Sequence, residues 1–443
     1  MKTLGRAATA PERDGYLAGA GAAWFAYVMT VALMLFDYAD RQVVVSLFPF
    51  LKTAWQLSDK QLGVLVSVVS VTVALVGIPV ALLADRTSRV RSIAAMATLW
   101  SLATVSCMFV RSYAQLLAAR ALVGLGEAGY GSVGAALIAS HFPPRLRGTL
   151  LAGFFASASV GSVIGVALGG AIAARFGWPA AFGVVGIPGL ALAVLYLAVR
   201  DYPTESLPSG GSQRVPMARP VAAAIASLVR SRTLRWVCLG AAAQLIVVSA
   251  VWAWLPSFLN RFAGLSPEHA AVRAALIVLI GAAGSLVWGA VVDRFGASQG
   301  RRKLRLLAAL CVPTVLLLPL AFSVGSSVAV SGLADYMLIA AGGFVMTCTV
   351  GPVAAVVLEV VHPSLRATGA SVLSLSQNLL GLAVGPLIAG ALSDRWDLSA
   401  ALSVMPVFSI VAAGAFLLAS RSYARESQQH HSPPPLVAAA VET

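Results

Sequence analysis

The stretch Ala81-Leu82-Leu83-Ala84-Asp85-Arg86-Thr87-Ser88-Arg89 closes one long apolar run, and Gly289-Ala290-Val291-Val292-Asp293-Arg294-Phe295-Gly296 closes another. From position 85 to position 293 the two Asp-Arg pairs are 208 residues apart. The same acid and base at the same place in two apolar runs are the trace of an internal repeat, as left by duplicated membrane architecture. Small residues repeat with them: Gly161, Gly165, Gly169 and Gly170 in one run, and Gly381, Gly385-Pro386 and Gly390 in another, at steps that let helices approach closely.

Working outward, the 443 residues are 59% hydrophobic and 11% charged, with a mean hydropathy of +0.86, which excludes a soluble domain. Roughly 20 apolar residues are needed per bilayer crossing. The apolar windows predict twelve crossings, near 20–48, 59–84, 92–110, 115–140, 148–174, 179–199, 234–260, 270–292, 304–326, 332–361, 367–393 and 400–420. The expected fold is an all-α membrane protein of twelve transmembrane helices in two pseudo-symmetric six-helix bundles, 20–199 and 234–420. Between them, 200–233 holds Pro203, Pro208, Gly210, Gly211, Pro216 and Pro220 and reads as a cytoplasmic linker. Residues 1–19 read as a cytoplasmic tail and 421–443 as a disordered one.

The net charge of +14 raises the question of nucleic acid, and the distribution of the charge answers it. Of 31 Lys and Arg, 22 fall in the tails and alternate loops assigned to one side, 7 in the opposite loops, and Arg41 and Arg120 inside crossings. Basic residues are retained in the cytoplasm during insertion, so both termini are expected there, in a bacterial inner membrane, with no nucleic-acid partner. Cys107, Cys238, Cys311 and Cys348 lie in apolar runs without paired or metal-type spacing and read as core residues. No cofactor, metal site or Ser-His-Asp arrangement is expected, so the chain does not read as an enzyme.

At the repeated loops the chain resembles the major facilitator superfamily, whose signature runs Gly-x-x-x-Asp-Arg-x-Gly-Arg-Arg. Here Ala81 and Ser88 stand at the two glycines of the first copy, and Val166 stands where the fifth helix usually has Pro. Three further motifs are similar to the spinster family: Phe36-Asp37-Tyr38-Ala39-Asp40-Arg41, Arg120-Ala121-Leu122-Val123-Gly124-Leu125-Gly126-Glu127-Ala128, and Gly177-Trp178-Pro179-Ala180-Ala181-Phe182 with Gly186-Ile187-Pro188-Gly189. The likeness spans the first six crossings well and the last six by general pattern. It implies proton-coupled movement of lysolipids or phosphorylated sphingoid bases, with Asp40, Arg41 and Glu127 in the coupling. Asp37 stands where spinster relatives often have Asn. The first two motifs also occur, less closely, in organic-anion symporters.

Ionisable groups at a helix centre cost roughly 2.5 to 3.5 kcal/mol each on insertion scales, so they demand partners or a wet path. Asp37, Asp40 and Arg41 fall at i, i+3 and i+4, where Arg41 can neutralise either carboxylate and one acid is left over. Arg120 and Glu127 share a stripe with Gly124 and Gly131 but lie about 10 Å apart along the axis, so their partners must come from elsewhere. These five residues are the expected proton-coupling and substrate group; the bland alternative is that the first three anchor helix 1 near the outer interface. Asp85, Arg86, Asp293 and Arg294 are read as gating latches, joined by Arg147, Glu359 and Arg366, with ordinary surface ion pairing as the alternative for the last three. Tyr130, Gln244, Trp252, Ser374, Gln377 and Asn378 are the candidate lining of a substrate cavity, although Trp252 and Trp254 equally suit an interfacial belt.

The expected function is proton-coupled secondary transport of a lysolipid-like or other amphipathic substrate by alternating access, and the alternative is a proton-coupled symporter of small organic anions. The partners are the lipid bilayer, protons and that substrate, and the chain is read as a monomer.

Overall fold

The computed structural model describes residues 16, 19–200, 231–296, 300–327, 333–361 and 366–430, apart from the side chains at 82, 85, 86, 144, 324–327, 360, 366–368 and 424–430. The expected linker and both tails fall almost entirely outside the described residues, as do the side chains of Asp85, Arg86 and Arg366.

The described chain is helical throughout. In the first half run α1 (Ala20–Ser46), α2 (Phe48–Trp55), α3 (Asp59–Arg86), α4 (Arg89–Ser106), α5 (Tyr113–Glu127), α6 (Tyr130–His141), α7 (Pro144–Phe176) and α8 (Trp178–Tyr196). In the second run α9 (Arg232–Phe262), α10 (Pro267–Gly296), α11 (Gly300–Ser327), α12 (Leu333–Met346), α13 (Pro352–Val360), α14 (Arg366–Ser376), a π-helical turn (Gln377–Leu382), α15 (Val384–Arg395), α16 (Leu398–Val404) and α17 (Val407–His430). Starts are marked in the sequence. Ser58 and Gln61 form a reciprocal capping box at 3.2 and 2.9 Å, and Ser88, Ser112, Ser231 and Asp397 each accept an amide of the following turn. Gly129 sits at φ +86°, a left-handed conformation that glycine adopts without a Cβ penalty, and it separates α5 from α6.

Ten helical stretches of the described chain are long and apolar enough to cross a membrane, with α5 and α6 counted as one. Of the twelve expected crossings, those near 92–110 and 332–361 correspond to shorter or more polar pieces. The 18 residues of α4 include Arg89, Arg91 and five Ser or Thr, while α12, at 14 residues, rises only about 21 Å against a hydrocarbon core of about 30 Å. Large apolar side chains face outward, with Leu75 66%, Leu286 73% and Leu316 68% exposed, a surface that suits lipid rather than water.

Glycines set the closest packings. A Cβ on Gly161 or Gly165 of α7 would run into the backbone carbonyls of Leu35 and Ala39, so α7 lies directly along the charged stretch of α1. Gly124 and Gly126 of α5 seat in the same way on Val69 of α3 and Trp100 of α4. The two halves meet where α15 lies on α3 and α10 on α7.

Candidate functional site

The five charged residues expected inside the first half come together between α1 and α5, and they are buried: Asp37 is 3% exposed, Asp40 1%, Arg120 1% and Glu127 2%, while the Arg41 side chain keeps 17%. They do not point outward.

Their pairing crosses between helices. Arg120 Nη1 donates to Asp40 Oδ1 and to the Asp40 carbonyl, both at 3.3 Å. Arg41 Nε donates to Asp37 Oδ1 at 3.4 Å and lies 2.9 Å from Glu127 Oε2. Arg41 therefore serves Asp37 and Glu127, and Asp40 turns to the other helix. The separation of Arg120 from Glu127 along α5 explains this arrangement, because each reaches a different turn of α1. Two layers result. Asp40 with Arg120 is a matched pair at 1% exposure on both side chains. Asp37, Arg41 and Glu127 set two acids against one base, with the Arg41 guanidinium also lying 5.3 Å from the Tyr38 ring centroid. Among the described residues, Asp40 Oδ2, Arg120 Nε and both Glu127 oxygens receive or give no hydrogen bond. Buried polar atoms without partners are rare, and a cluster of them sets this layer apart from the rest of the interior.

The residues expected to line a cavity lie on α6, α9, α14 and the π-helical turn. Tyr130 is wholly buried between the Trp100 and Phe154 rings, and its hydroxyl donates to the Thr30 carbonyl at 2.6 Å, so it is a core residue here rather than an open surface. Gln244 is also fully buried and donates to the Met346 carbonyl at 2.9 Å. Trp252 is half-buried, and its indole nitrogen has no partner among the described residues. Asn378 donates back to the Ser374 carbonyl at 2.9 Å, and Gln377 stands beside it at the start of the π-helical turn. Trp254 is no belt residue: it is fully buried, packs against Phe48 at 5.0 Å and donates to the Pro386 carbonyl.

Of the expected latches, Asp293 and Glu359 converge on Lys303, the former at 3.4 Å, so this cluster ties α10, α11 and α13 within the second half. Arg147 donates to the Phe142 carbonyl at 2.9 Å, and Arg294 is exposed.

A second network lay outside the sequence reading. Asp59, 2% exposed at the start of α3, accepts from both terminal nitrogens of Arg261 at 2.6 and 2.8 Å, from Lys52 at 2.5 Å and from Ser393 at 2.5 Å. Asp394 of α15 in turn accepts the amides of Asp59 and Lys60 at 2.7 and 2.8 Å, capping the first-half helix α3 from the second half. Apart from Lys52 with Asp59, which share a half, these contacts and the pair of Arg175 and Glu268 at 3.3 Å join described residues of the two halves, and all lie at the end of the bundle where α3 begins. A lone sequence offers no signal joining positions 59, 261 and 394, since each reads as an ordinary charge at a helix end.

Residues 30–385 match the family model described as Major Facilitator Superfamily. The chain is 30% identical, over 91% of its length and 94% of the relative's, to an "MFS-type efflux pump" of Mycolicibacterium smegmatis. It is 27% identical to a "Gallate transporter" of Pseudomonas putida, over 89% and 90% of the two chains. Among solved structures it superposes, with a TM-score of 0.80 at 22% identity over 92% of this chain and 99% of the other, on a bacterial homolog of the human lysosomal transporter spinster, described as inward-facing and unoccupied.

Proposed function

Because this chain belongs to the Major Facilitator Superfamily, a family of membrane transporters, we propose that it is a proton-coupled secondary transporter of amphipathic, lysolipid-like substrates bearing an anionic head. The observation that carries this reading is the state of Arg41. Its Nε faces Asp37 and Glu127, its terminal nitrogens donate to no described residue, and its side chain is the exposed member of an otherwise sealed cluster. A planar guanidinium with its fork unfilled suits a carboxylate or phosphate, which it can grip with two parallel hydrogen bonds. The acids behind it supply proton coupling, since each proton gained or lost there changes how strongly the guanidinium is held. The second half contributes few charges to its crossings and many apolar and aromatic groups, which suits the chain of an amphiphile.

A small organic anion is the second reading, favoured by the relative named a gallate transporter. Either substrate is carried by rocking of the two halves about the site.

The test is flux into liposomes holding the purified full chain, with lysophosphatidylglycerol and gallate as separate probes and an imposed difference of one pH unit, worth about 1.4 kcal/mol. Lysophosphatidylglycerol flux is expected to follow the gradient, and Glu127→Gln to lose that response. Flux that ignores the gradient in the unmodified chain refutes proton coupling, and a response confined to gallate transfers the assignment to organic anions.

A further inference from the structure

Three carboxyl groups face two guanidinium groups in a region almost closed to water, and the surplus has a definite address. Asp40 and Arg120 form one layer with one charge of each sign, both side chains 1% exposed. The layer beside it holds Asp37 and Glu127 against Arg41 alone, the Glu127 side chain at 0% and Asp37 at 4% exposure. Both acids crowd the same atom. Arg41 Nε carries a single hydrogen, and that hydrogen is directed at Asp37 Oδ1, so Glu127 Oε2, though 2.9 Å from the nitrogen, receives no hydrogen bond. Neither does Glu127 Oε1. Both carboxyl groups thus lie within 3.4 Å of one Arg41 nitrogen.

The other groups facing this layer leave it unneutralised. From α1 come Tyr38, below the Arg41 guanidinium, and Asp40, already matched; from α5 comes Arg120, spent on Asp40; from α4 and its end Thr104 and Cys107 border Asp40 and Arg120; and the Tyr130 hydroxyl of α6 is engaged with the Thr30 carbonyl. Two ionised carboxylates sharing one hydrogen-bond donor in a dry site is the arrangement in which one proton is retained by the pair.

We propose that Asp37 and Glu127 act as a carboxyl dyad that holds a single proton between them, and that this proton, rather than one on Asp40, is the one exchanged during transport. The proposal rests on the proton-coupled reading above and deepens it. With the proton in place the two acids carry one negative charge against Arg41 and the layer is neutral. Losing the proton leaves it at −1, and so does binding an anionic head on the Arg41 terminal nitrogens while the proton stays. Doing both leaves −2. Anion binding therefore carries the layer to −1 when the proton is in place and to −2 when it is not, so anion and proton favour each other, which sets the direction of coupling as cotransport.

The experiment reads the proton itself. Infrared spectra of the purified full chain at neutral pH are expected to show the carbonyl stretch of a buried, protonated carboxylic acid. Asp37→Asn and Glu127→Gln are each expected to lose it, because the remaining acid is then matched one-to-one with Arg41 and stays ionised. Two near-isosteric variants guard against a failure of either to fold, which size-exclusion profiles report. Absence of the band in the unmodified chain, or its persistence in both folded variants, overturns the dyad. Flux of lysophosphatidylglycerol or gallate under an imposed pH difference is measured beside it. A band that behaves as expected in a chain whose flux ignores the gradient refutes proton exchange in transport but not the shared proton, so the two readings fail separately.

Discussion

Removing one charge at the seam between the halves should change which end of the protein opens. In Asp59→Asn the side chain keeps its size, but the acceptor for Arg261, Lys52 and Ser393 loses its charge. Breaking a fully buried ion pair costs about 3–5 kcal/mol. Here the partners are partly wet, Arg261 at 26% and Lys52 at 41% exposure, so water recovers some of their interaction and a figure of about 2 kcal/mol is appropriate. Lys52 shares a half with Asp59, so this figure is assigned to the Arg261 and Ser393 contacts and falls only on the arrangement in which the halves touch at this end. It amounts to a shift of about 30-fold in the ratio of that arrangement to any in which they part. The assay is a pair of spin labels at Ala54→Cys and Arg395→Cys, both exposed and on opposite halves at this end, and the four native cysteines are buried away from the reagent. The unmodified chain should give a distribution dominated by a short distance, and Asp59→Asn a marked gain of longer ones. A folded Asp59→Asn protein with an unchanged distribution would show that the network decorates the seam without holding it.

Two further outcomes rest on the packing. Arg120→Gln leaves Asp40 buried at 1% exposure without its cation and should cost about 3–5 kcal/mol, seen as a fall in thermal unfolding temperature or loss of a monodisperse peak; Arg120→Lys should recover part of it, because one ammonium replaces the charge but not the shape of the fork. Gly390→Val puts a side chain where the Asp59 carbonyl lies, so it should lengthen the same spin-label distance, and combining it with Asp59→Asn should add less than the two effects summed, since both act on one contact.

Some of this was legible without coordinates. The intervals in Asp37, Asp40 and Arg41 and in Arg120 and Glu127 place each set on a helix face, and burial follows from the cost of leaving charges in an apolar run. The pairing was not legible, because it depends on how α5 slides along α1, and that offset is set by Gly124 and Gly126 against α3 and α4 and by Gly161 and Gly165 against α1. Hydropathy also missed the break at Gly129, since a left-handed glycine costs an apolar run nothing in mean polarity. It read 49–58 as a connection, where Phe48–Trp55 forms a helix with Pro near its start. The seam was hidden for another reason. Asp59, Arg261 and Asp394 each satisfy the ordinary expectation for charges at helix ends, and only their convergence distinguishes them.

The wide turn at Gln377–Leu382 bears on how this protein tolerates length changes. It winds six residues with the Ala383 amide returning to the Asn378 carbonyl, five residues back, so the stretch from Arg366 to Arg395 contains more chain than an α-helix of equal length would need. A single-residue deletion inside that turn can be absorbed by tightening it, with both flanks left aligned. The same deletion between Val384 and Ser393 has no slack to draw on: it rotates the downstream end of α15 by about 100° and carries Asp394 away from the amides it caps. Two deletions a few residues apart, indistinguishable by hydropathy, should therefore differ sharply in whether the halves still dock.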